Sequence, residues 1–242
     1  MIVLFTDFGW KGPYVGQIKS VLSQQAPNFP IIDLMHDAPV FAIQTSAYLL
    51  ASLVEHLPSG CIVLGVVDPG VGDIKRKPCI LKADGRYYVG PDNGLFNIIA
   101  RRAKKAEWWE IKWRPKQLST SFHGRDLFAP VAAQLATEQF PDAKKISGPH
   151  HFTDDWPGDF YQVIYFDHYG NAMTGLRAEQ LDKKTKIRIK QHILPYAETF
   201  SAVKLGEAFW YKNSNGLVEL SVNNGNAQQQ LNLVVGDELE LV

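Results

Sequence analysis

Leu64-Gly65-Val66-Val67-Asp68-Pro69-Gly70-Val71-Gly72 decides how the first half of the chain is read. An unbroken apolar run of this kind suits a strand buried on both faces, as in a parallel sheet covered by helices. Pro69 and Gly70 then break the strand and demand an open, tight turn. Asp68 is thereby placed at the carboxyl end of a central strand, the rim where open α/β sheets hold their ligands. The competing reading is that Asp68 only caps the turn by accepting bonds from nearby amides.

The segments before this stretch repeat its pattern. Ile2 to Phe5 is a short aliphatic strand running into Thr6-Asp7-Phe8-Gly9, and Val15, Ile18, Val21 and Leu22 mark one face of a helix to about Gln24. A second strand over Pro30 to Asp37, a helix from about Ile43 to His56, and a third strand over Cys61 to Val67 follow. This β-α-β-α-β order predicts a parallel sheet with helices on its faces. Each strand hands an acid to one rim: Asp7, then Asp33 or Asp37, then Asp68. Aspartate is also a common helix N-cap in such loops, so caps compete with a site at every one of these positions.

Downstream, Pro78 to Ala83 and Arg86 to Val89 flank Asp84-Gly85, a strong hairpin signal. Helices are expected over about Leu95 to Arg102 and from Phe122-His123-Gly124-Arg125-Asp126 through Ala136. Residues 150–158 are polar and punctuated by proline and glycine, as in a connector between domains. Beyond them, Tyr161 to Phe166, Lys186 to Ile189, Glu207 to Lys212, Leu217 to Val222 and Glu238 to Val242 read as strands, with no amphipathic helix. The expectation is an α/β domain with a mainly parallel sheet over residues 1–152. A smaller all-β domain, an antiparallel sandwich or barrel, is expected over residues 159–242.

Composition narrows the function classes. Lysine plus arginine equals aspartate plus glutamate, 25 against 25, which argues against nucleic acid as a partner. The one basic cluster, Arg101, Arg102, Lys104 and Lys105, is read as a solvated helix end. Cys61 and Cys79 lie inside apolar runs, the pattern of buried free thiols in a reducing compartment. Met1 to Phe5 reaches polar sequence too soon for a signal peptide, and no apolar run is long enough to span a membrane. A cytoplasmic protein is expected.

The familiar chemical motifs are missing. There is no HExxH, paired CxxC or EF-hand loop, and His150-His151 is the only close histidine pair among the seven histidines. Neither nucleotide-binding glycine pattern nor a GxSxG elbow is present. What remains is Asp68, the basic pair Lys75-Arg76, and His123 just before a helix. Carboxylate, cation and imidazole together suit the orientation and activation of a water molecule. For His123 alone, a helix cap or a satisfied core histidine competes.

Thr6-Asp7-Phe8-Gly9 with Tyr14-Val15-Gly16, Val66 to Gly72, Gly90-Pro91-Asp92-Asn93-Gly94 and Phe122 to Asp126 occur in an order that resembles the adenosine-forming S-adenosylmethionine hydrolases. These are also called SAM hydroxide adenosyltransferases and are relatives of the fluorinase and chlorinase. Asp167-His168-Tyr169-Gly170-Asn171 resembles the family's D-x-F-G-N segment, and Gly225-Asn226-Ala227 its G-N-A.

The resemblance implies attack of water or hydroxide on C5′ of S-adenosylmethionine, giving adenosine and methionine, without a cofactor or metal. It also implies a homotrimer whose sites lie between subunits. Asp68 and His123 match two members of an Asp-Arg-His set that activates water. Asp7, with Phe8, matches the ribose-binding position, and Asp167 the group that takes the methionine ammonium. Tyr169 and Asn171 match contacts to adenosine, while Asn213-Ser214 and Asn226-Ala227 match the adenine pocket.

Three departures stand out. The family's paired arginines after VVDPGVG are Lys75-Arg76 here, so either Lys75 replaces the catalytic arginine or Arg76 swings in. Gly12 and Gly175 stand where the family has an aspartate and an asparagine, which suggests altered contacts to substrate or interface. Two alternatives follow from the same residues. One is a binding protein for S-adenosylmethionine or adenosine without catalysis. The other is a C5′ halogenase, disfavoured because a carboxylate at position 68 repels a halide.

Overall fold

The computed structural model describes residues 1–73, 75–151 and 153–242; Phe152, within the expected connector and at the expected end of the first domain, lies outside the described residues. The chain divides into two compact units. Met1–Ala51 with Leu57–Thr153 makes the first, and Ser52–His56 with Asp154–Val242 makes the second.

In chain order the first half contains β1 (Ile2–Thr6), α1 (Tyr14–Gln25), β2 (Ile31–Met35), α2 (Ile43–Leu53), β3 (Ile62–Val66), β4 (Pro78–Ala83), β5 (Arg86–Pro91), α3 (Asn97–Arg102), β6 (Ala106–Ile111), α4 (Ala129–Ala136) and β7 (Ala143–Ile146). The strands form one sheet in the order β2-β1-β3-β5-β4-β6-β7. Its first four strands are parallel, and the β4-β5 hairpin turns the remainder antiparallel. Every residue of β1 and of β3 is buried, as their unbroken apolar runs require. Ile18 and Leu22 of α1 pack with Leu4, Leu64, Phe128 and Val131 in the core. The hairpin turns on Asp84 and Gly85, both at positive φ (45° and 80°), as a primed two-residue turn demands.

The sheet order fixes where a ligand can sit. The chain leaves β1 for β2 on one side and returns to β3 on the other, so the order reverses between β1 and β3. That reversal opens a crevice beyond the carboxyl ends of these two strands. Asp7 and Asp68 follow those two strands. Thr6 pairs with Val66 across them, and the Asp7 amide donates to the Val66 carbonyl at 3.4 Å.

The second unit contains β8 (Phe160–Phe166), β9 (Ala172–Arg177), β10 (Ile187–Ile189), β11 (His192–Leu194), β12 (Ala208–Lys212), β13 (Leu217–Val222), α5 (Ala227–Gln230) and β14 (Leu239–Leu241). It is all antiparallel, in two sheets ordered β12-β13-β9-β8 and β11-β10-β14. Val163, Leu176, Ile187, Trp210, Leu220 and Leu239 close its core.

Several expectations need correction. Two strands were not foreseen: β6 and β7, which pair with each other. The β region does contain a helix, the single-turn α5, capped by the Asn226 side chain. Arg101 is not merely solvated, because its guanidinium donates to the Thr153 carbonyl at 2.7 Å. The backbone amides of His150 and His151 are tied to the buried Asp92 carboxylate, so this part of the connector is anchored. Gly175 has a packing reason, since a Cβ there would stand 2.6 Å from the Phe160 Cβ on the neighbouring strand. Cys61 and Cys79 are free and buried, as expected. Among the described residues no helix is long and apolar enough to cross a membrane.

Candidate active site

Asp68 caps its turn, and it does more than that. Its Oδ1 accepts from the Gly70 amide at 3.2 Å, the turn-capping bond, and the same carboxylate is ion-paired with the Arg76 guanidinium. The Asp68 side chain is only 6% exposed against 26% for Arg76, so the anion is the more desolvated partner. Left unpaired, a carboxylate so far out of water would cost about 3–5 kcal/mol, well above the fraction of a kcal/mol of an exposed pair. Of the two basic residues, Arg76 is the one that meets Asp68. Lys75 is exposed, its backbone amide spent on the Asp73 carboxylate at 2.9 Å. Gly70 belongs to the same arrangement. A Cβ there would stand 2.6 Å from Arg76 Nη1, so only glycine leaves the guanidinium its seat.

The turn at Gly90-Pro91-Asp92-Asn93-Gly94 holds this loop at both ends. Asn93 Nδ2 donates to the Val67 carbonyl, one residue before Asp68, and the Asp92 amide donates to the Lys77 carbonyl, both at 2.8 Å.

His123 stands at the start of a single π-helical turn, Gly124–Phe128, which runs straight into α4. Such turns are rare and recur at functional sites. The His123 side chain makes no capping bond there, so the cap reading fails. Arg125 and Asp126 in the same turn are bonded to each other, the shortest contact being 2.6 Å, and Arg125 also reaches Gln17 at 2.9 Å. Arg125 thereby holds the Asp126 carboxyl below its usual range. The His123 ring has no hydrogen-bond partner among the described residues.

Asp68, His123 and Phe128 line two adjoining hollows. One, of about 360 Å³, is walled by Phe8, Tyr14, Phe122, Val66 and Val71, and is called here the aromatic hollow. Phe8, Tyr14 and Phe122 brace one another with ring centroids 5.3 to 6.0 Å apart. The other, of about 320 Å³, carries Arg76, Lys77, Arg114, Asp73 and Thr120, and is called the basic hollow. Asp7 lies beside them. Burial pushes its carboxyl above the ordinary value, the Asp68 charge adds to this, and the Phe41 amide at 3.2 Å partly offsets it. Asp33, one of the rim candidates, serves otherwise: it binds Lys19 at 2.8 Å and the buried His36 at 3.1 Å. His36 in turn reaches Thr6 at 2.8 Å and meets Trp10 edge-on.

In the second unit, Asp167, Tyr169, Asn171 and Asn226 line a hollow of about 620 Å³ together with Phe200 and Tyr211. The Asp167 carboxylate accepts from the Tyr169 and Asn171 amides and from Asn171 Nδ2, at 2.8 to 2.9 Å. Asn226 Oδ1 caps α5 at 2.8 Å, and its side chain occupies the space that a Cβ on Gly170 would take. The two motifs therefore require each other. Asn213 and Ser214 are not brought to this hollow. Asn213 is buried, donates to Glu219 at 2.7 Å and accepts two turn amides, while Ser214 is exposed at the turn tip and Ala227 is buried.

Sequence reasoning missed Tyr211, whose hydroxyl donates to Glu219 at 2.5 Å and whose ring packs on Phe200. It also missed Arg114, which lines the basic hollow while donating to the carbonyls of Ile111 and Trp113. A signal for the first pair exists, because Glu219 is the one charge inside the apolar run Leu217 to Val222. Arg114 gives no such signal.

Fold and site together define a two-domain protein with a charged cluster at a strand-end crevice and a second, aromatic-walled hollow in its β unit. Comparison with known proteins gives the same architecture a family. The SAM hydroxide adenosyltransferase N-terminal domain matches residues 2–145, and the C-terminal domain of that family matches residues 161–240. The chain is 36% identical to the (R)-S-adenosyl-L-methionine hydrolase of Thermus thermophilus, covering all of this chain and 99% of the relative. It is 32% identical to the hydrolase of that name from Salinispora arenicola, over 98% of this chain and 95% of the relative. The fluorinase of Nocardia brasiliensis is more distant, at 23% over all of this chain and 96% of its own length. A crystal structure of a conserved protein from Thermotoga maritima superposes with a TM-score of 0.90 at 30% identity, covering all of this chain and 99% of the other. The chain belongs to the SAM hydroxide adenosyltransferase family.

Proposed function

We propose that this protein hydrolyses S-adenosyl-L-methionine to adenosine and methionine, with Asp68, Arg76 and His123 acting on the water. The observation that carries the reading is the Asp68–Arg76 ion pair facing, in the same hollows, a histidine ring without a partner. The paired carboxylate orients the water by accepting one of its protons in a hydrogen bond. The water oxygen forms a bond to C5′ as the C5′–S bond breaks, the electron pair stays on sulfur, and the His123 ring takes the released proton. A sulfonium is a good leaving group, so positioning supplies most of what catalysis needs here.

Asp7 holds the ribose diol with Phe8 against the sugar, and Asp167 takes the methionine ammonium with Tyr169 and Asn171 beside it. Asn226 bounds the adenine end, with Ala227 packed beneath it; the Asn213-Ser214 turn lies outside this hollow. The assembly in this reading is a homotrimer, with each site shared between subunits. Light scattering tests the mass, and mixing Asp68→Asn with Asp167→Ala subunits tests the sharing, since only shared sites regain activity.

Incubation with S-adenosylmethionine, followed by chromatography for adenosine, tests the reaction. Adenosine no higher than in a heat-killed control would sink it. The halogenase reading finds no support at position 68, where a carboxylate lines both hollows; chloride or fluoride in the same assay should give no halogenated nucleoside. The binding-only reading was motivated by Lys75 and Gly12; the Arg76 pairing speaks against the first motive, and calorimetry showing tight binding without turnover would favour the reading.

A further inference from the structure

Asp68 and His123 stand in a wall with a hollow on either side, and the hydrolase reading uses only one of them for substrate. Displacement at C5′ is in line: the entering oxygen and the leaving sulfur occupy opposite sides of the carbon. A substrate that fills one side of the wall therefore leaves the other for water.

The two hollows differ in the way this requires. The aromatic hollow sets the braced rings Phe8, Tyr14 and Phe122 beside Gln17, Ser119 and Ser121, which suits a sugar and a thioether. The basic hollow carries Asp73, Arg76, Lys77 and Arg114 beside Leu118, Leu127 and Phe128, and several of its charged groups already have protein partners. Arg76 is paired with Asp68, and Arg114 donates to two carbonyls at 2.8 Å. Asp73 accepts the Lys75 amide at 2.9 Å. Cations that share a wall with the Asp68 and Asp73 carboxylates make a poor clamp for an anionic ligand and a good wetted surface. With about 320 Å³ of space, it has room for on the order of ten waters at about 30 Å³ each.

We propose that the basic hollow is a water chamber that supplies the nucleophile to the Asp68–His123 wall from the side opposite the substrate. The proposal rests on the hydrolase reading. It gives the chamber two tasks, delivery of the attacking water and removal of the proton that His123 accepts. It also makes Leu118 and Thr120, which line only this hollow, determinants of turnover that touch no substrate.

Leu118→Trp and Thr120→Trp test this, each placing an indole in the chamber; Leu118 packs against the core, so the exposed Thr120 is the variant that leaves the fold least disturbed. Turnover should fall about tenfold or more in both variants. The dissociation constant for adenosine, measured by calorimetry, should stay within about twofold of the parent protein. Turnover that survives in both variants overturns the proposal. So does adenosine affinity that falls in step with turnover, because the hollow is then part of the substrate site. The parent protein in the same assay keeps the two ideas apart. No adenosine from the parent defeats the hydrolase reading and the chamber with it, whereas an active parent with active variants defeats the chamber alone.

Discussion

The hollows beside Asp68 and the hollow beside Asp167 are built on opposite principles. At Asp68 the acid comes from a strand end, its countercharge is eight residues away along one loop, and a histidine from a distant turn faces it unbonded. At Asp167 the acid is wrapped by the amides of its own turn, and the walls are aromatic rings locked by a buried carboxylate. The first arrangement leaves a titratable group free to exchange a proton. The second freezes everything except an open charge and two ring faces. In the proposed reading, the first region reacts and the second holds.

If that division is right, substitutions should separate cleanly into those that lower turnover and those that weaken binding. Asp68→Asn keeps the shape and removes the charge. Adenosine formation should fall about a thousandfold, the scale of losing a water-orienting group, with adenosine affinity nearly intact. Arg76→Ala should lower turnover about a hundredfold while Lys75→Ala changes it less than about threefold. The reverse ranking, read by the same chromatographic assay, would return the catalytic role to Lys75.

Asp167→Asn should act on the other side of the comparison, raising KM about tenfold or more with kcat little altered. A kcat loss without a KM change would erase the division. The Asp7 carboxyl gives a pH test of holding. Its value in the folded protein is raised by burial, and a protonated Asp7 cannot accept both ribose hydroxyls. Adenosine affinity should therefore weaken as pH falls, starting above the ordinary carboxylate range, and Asp7→Asn should be pH-independent.

The smallest effect concerns Glu219. Burial raises its folded value, Tyr211 and Asn213 only partly offset this, and Asp167 raises it further. A raised acid adds stability while protonated, below its unfolded value, and loses it as pH rises through the folded value. Against Glu219→Gln, the wild type should lose ground as pH rises from about 4 to 8, by a few degrees in Tm, the scale of about 1 kcal/mol in a chain of this length. A gap that does not change with pH would mean that folding leaves the Glu219 titration unshifted.

The strand-end geometry was legible because apolar runs and turn residues are local. Val66 to Gly72 declared a buried strand, a turn and a rim carboxylate, and all three are present. What stayed hidden depends on chain separation or on competition between neighbours. Whether Lys75 or Arg76 met Asp68 turned on how the Gly70 turn aims the chain, which residue types do not encode. Asp33 looked like Asp7 in sequence, yet Lys19 and His36 claim it from elements far along the chain. Asn213 matched a motif for contact with substrate but is consumed by Glu219 and by its own turn.

The two buried thiols offer an experimental opening. Cys61 and Cys79 are each 1% exposed and are the chain's only cysteines, so burial leaves the native thiols shielded from labelling. Lys75→Cys would therefore introduce a selectively reachable thiol, one residue from the arginine that pairs with Asp68. A spin label or dye attached there would report the loop's movement as water, adenosine or methionine comes and goes.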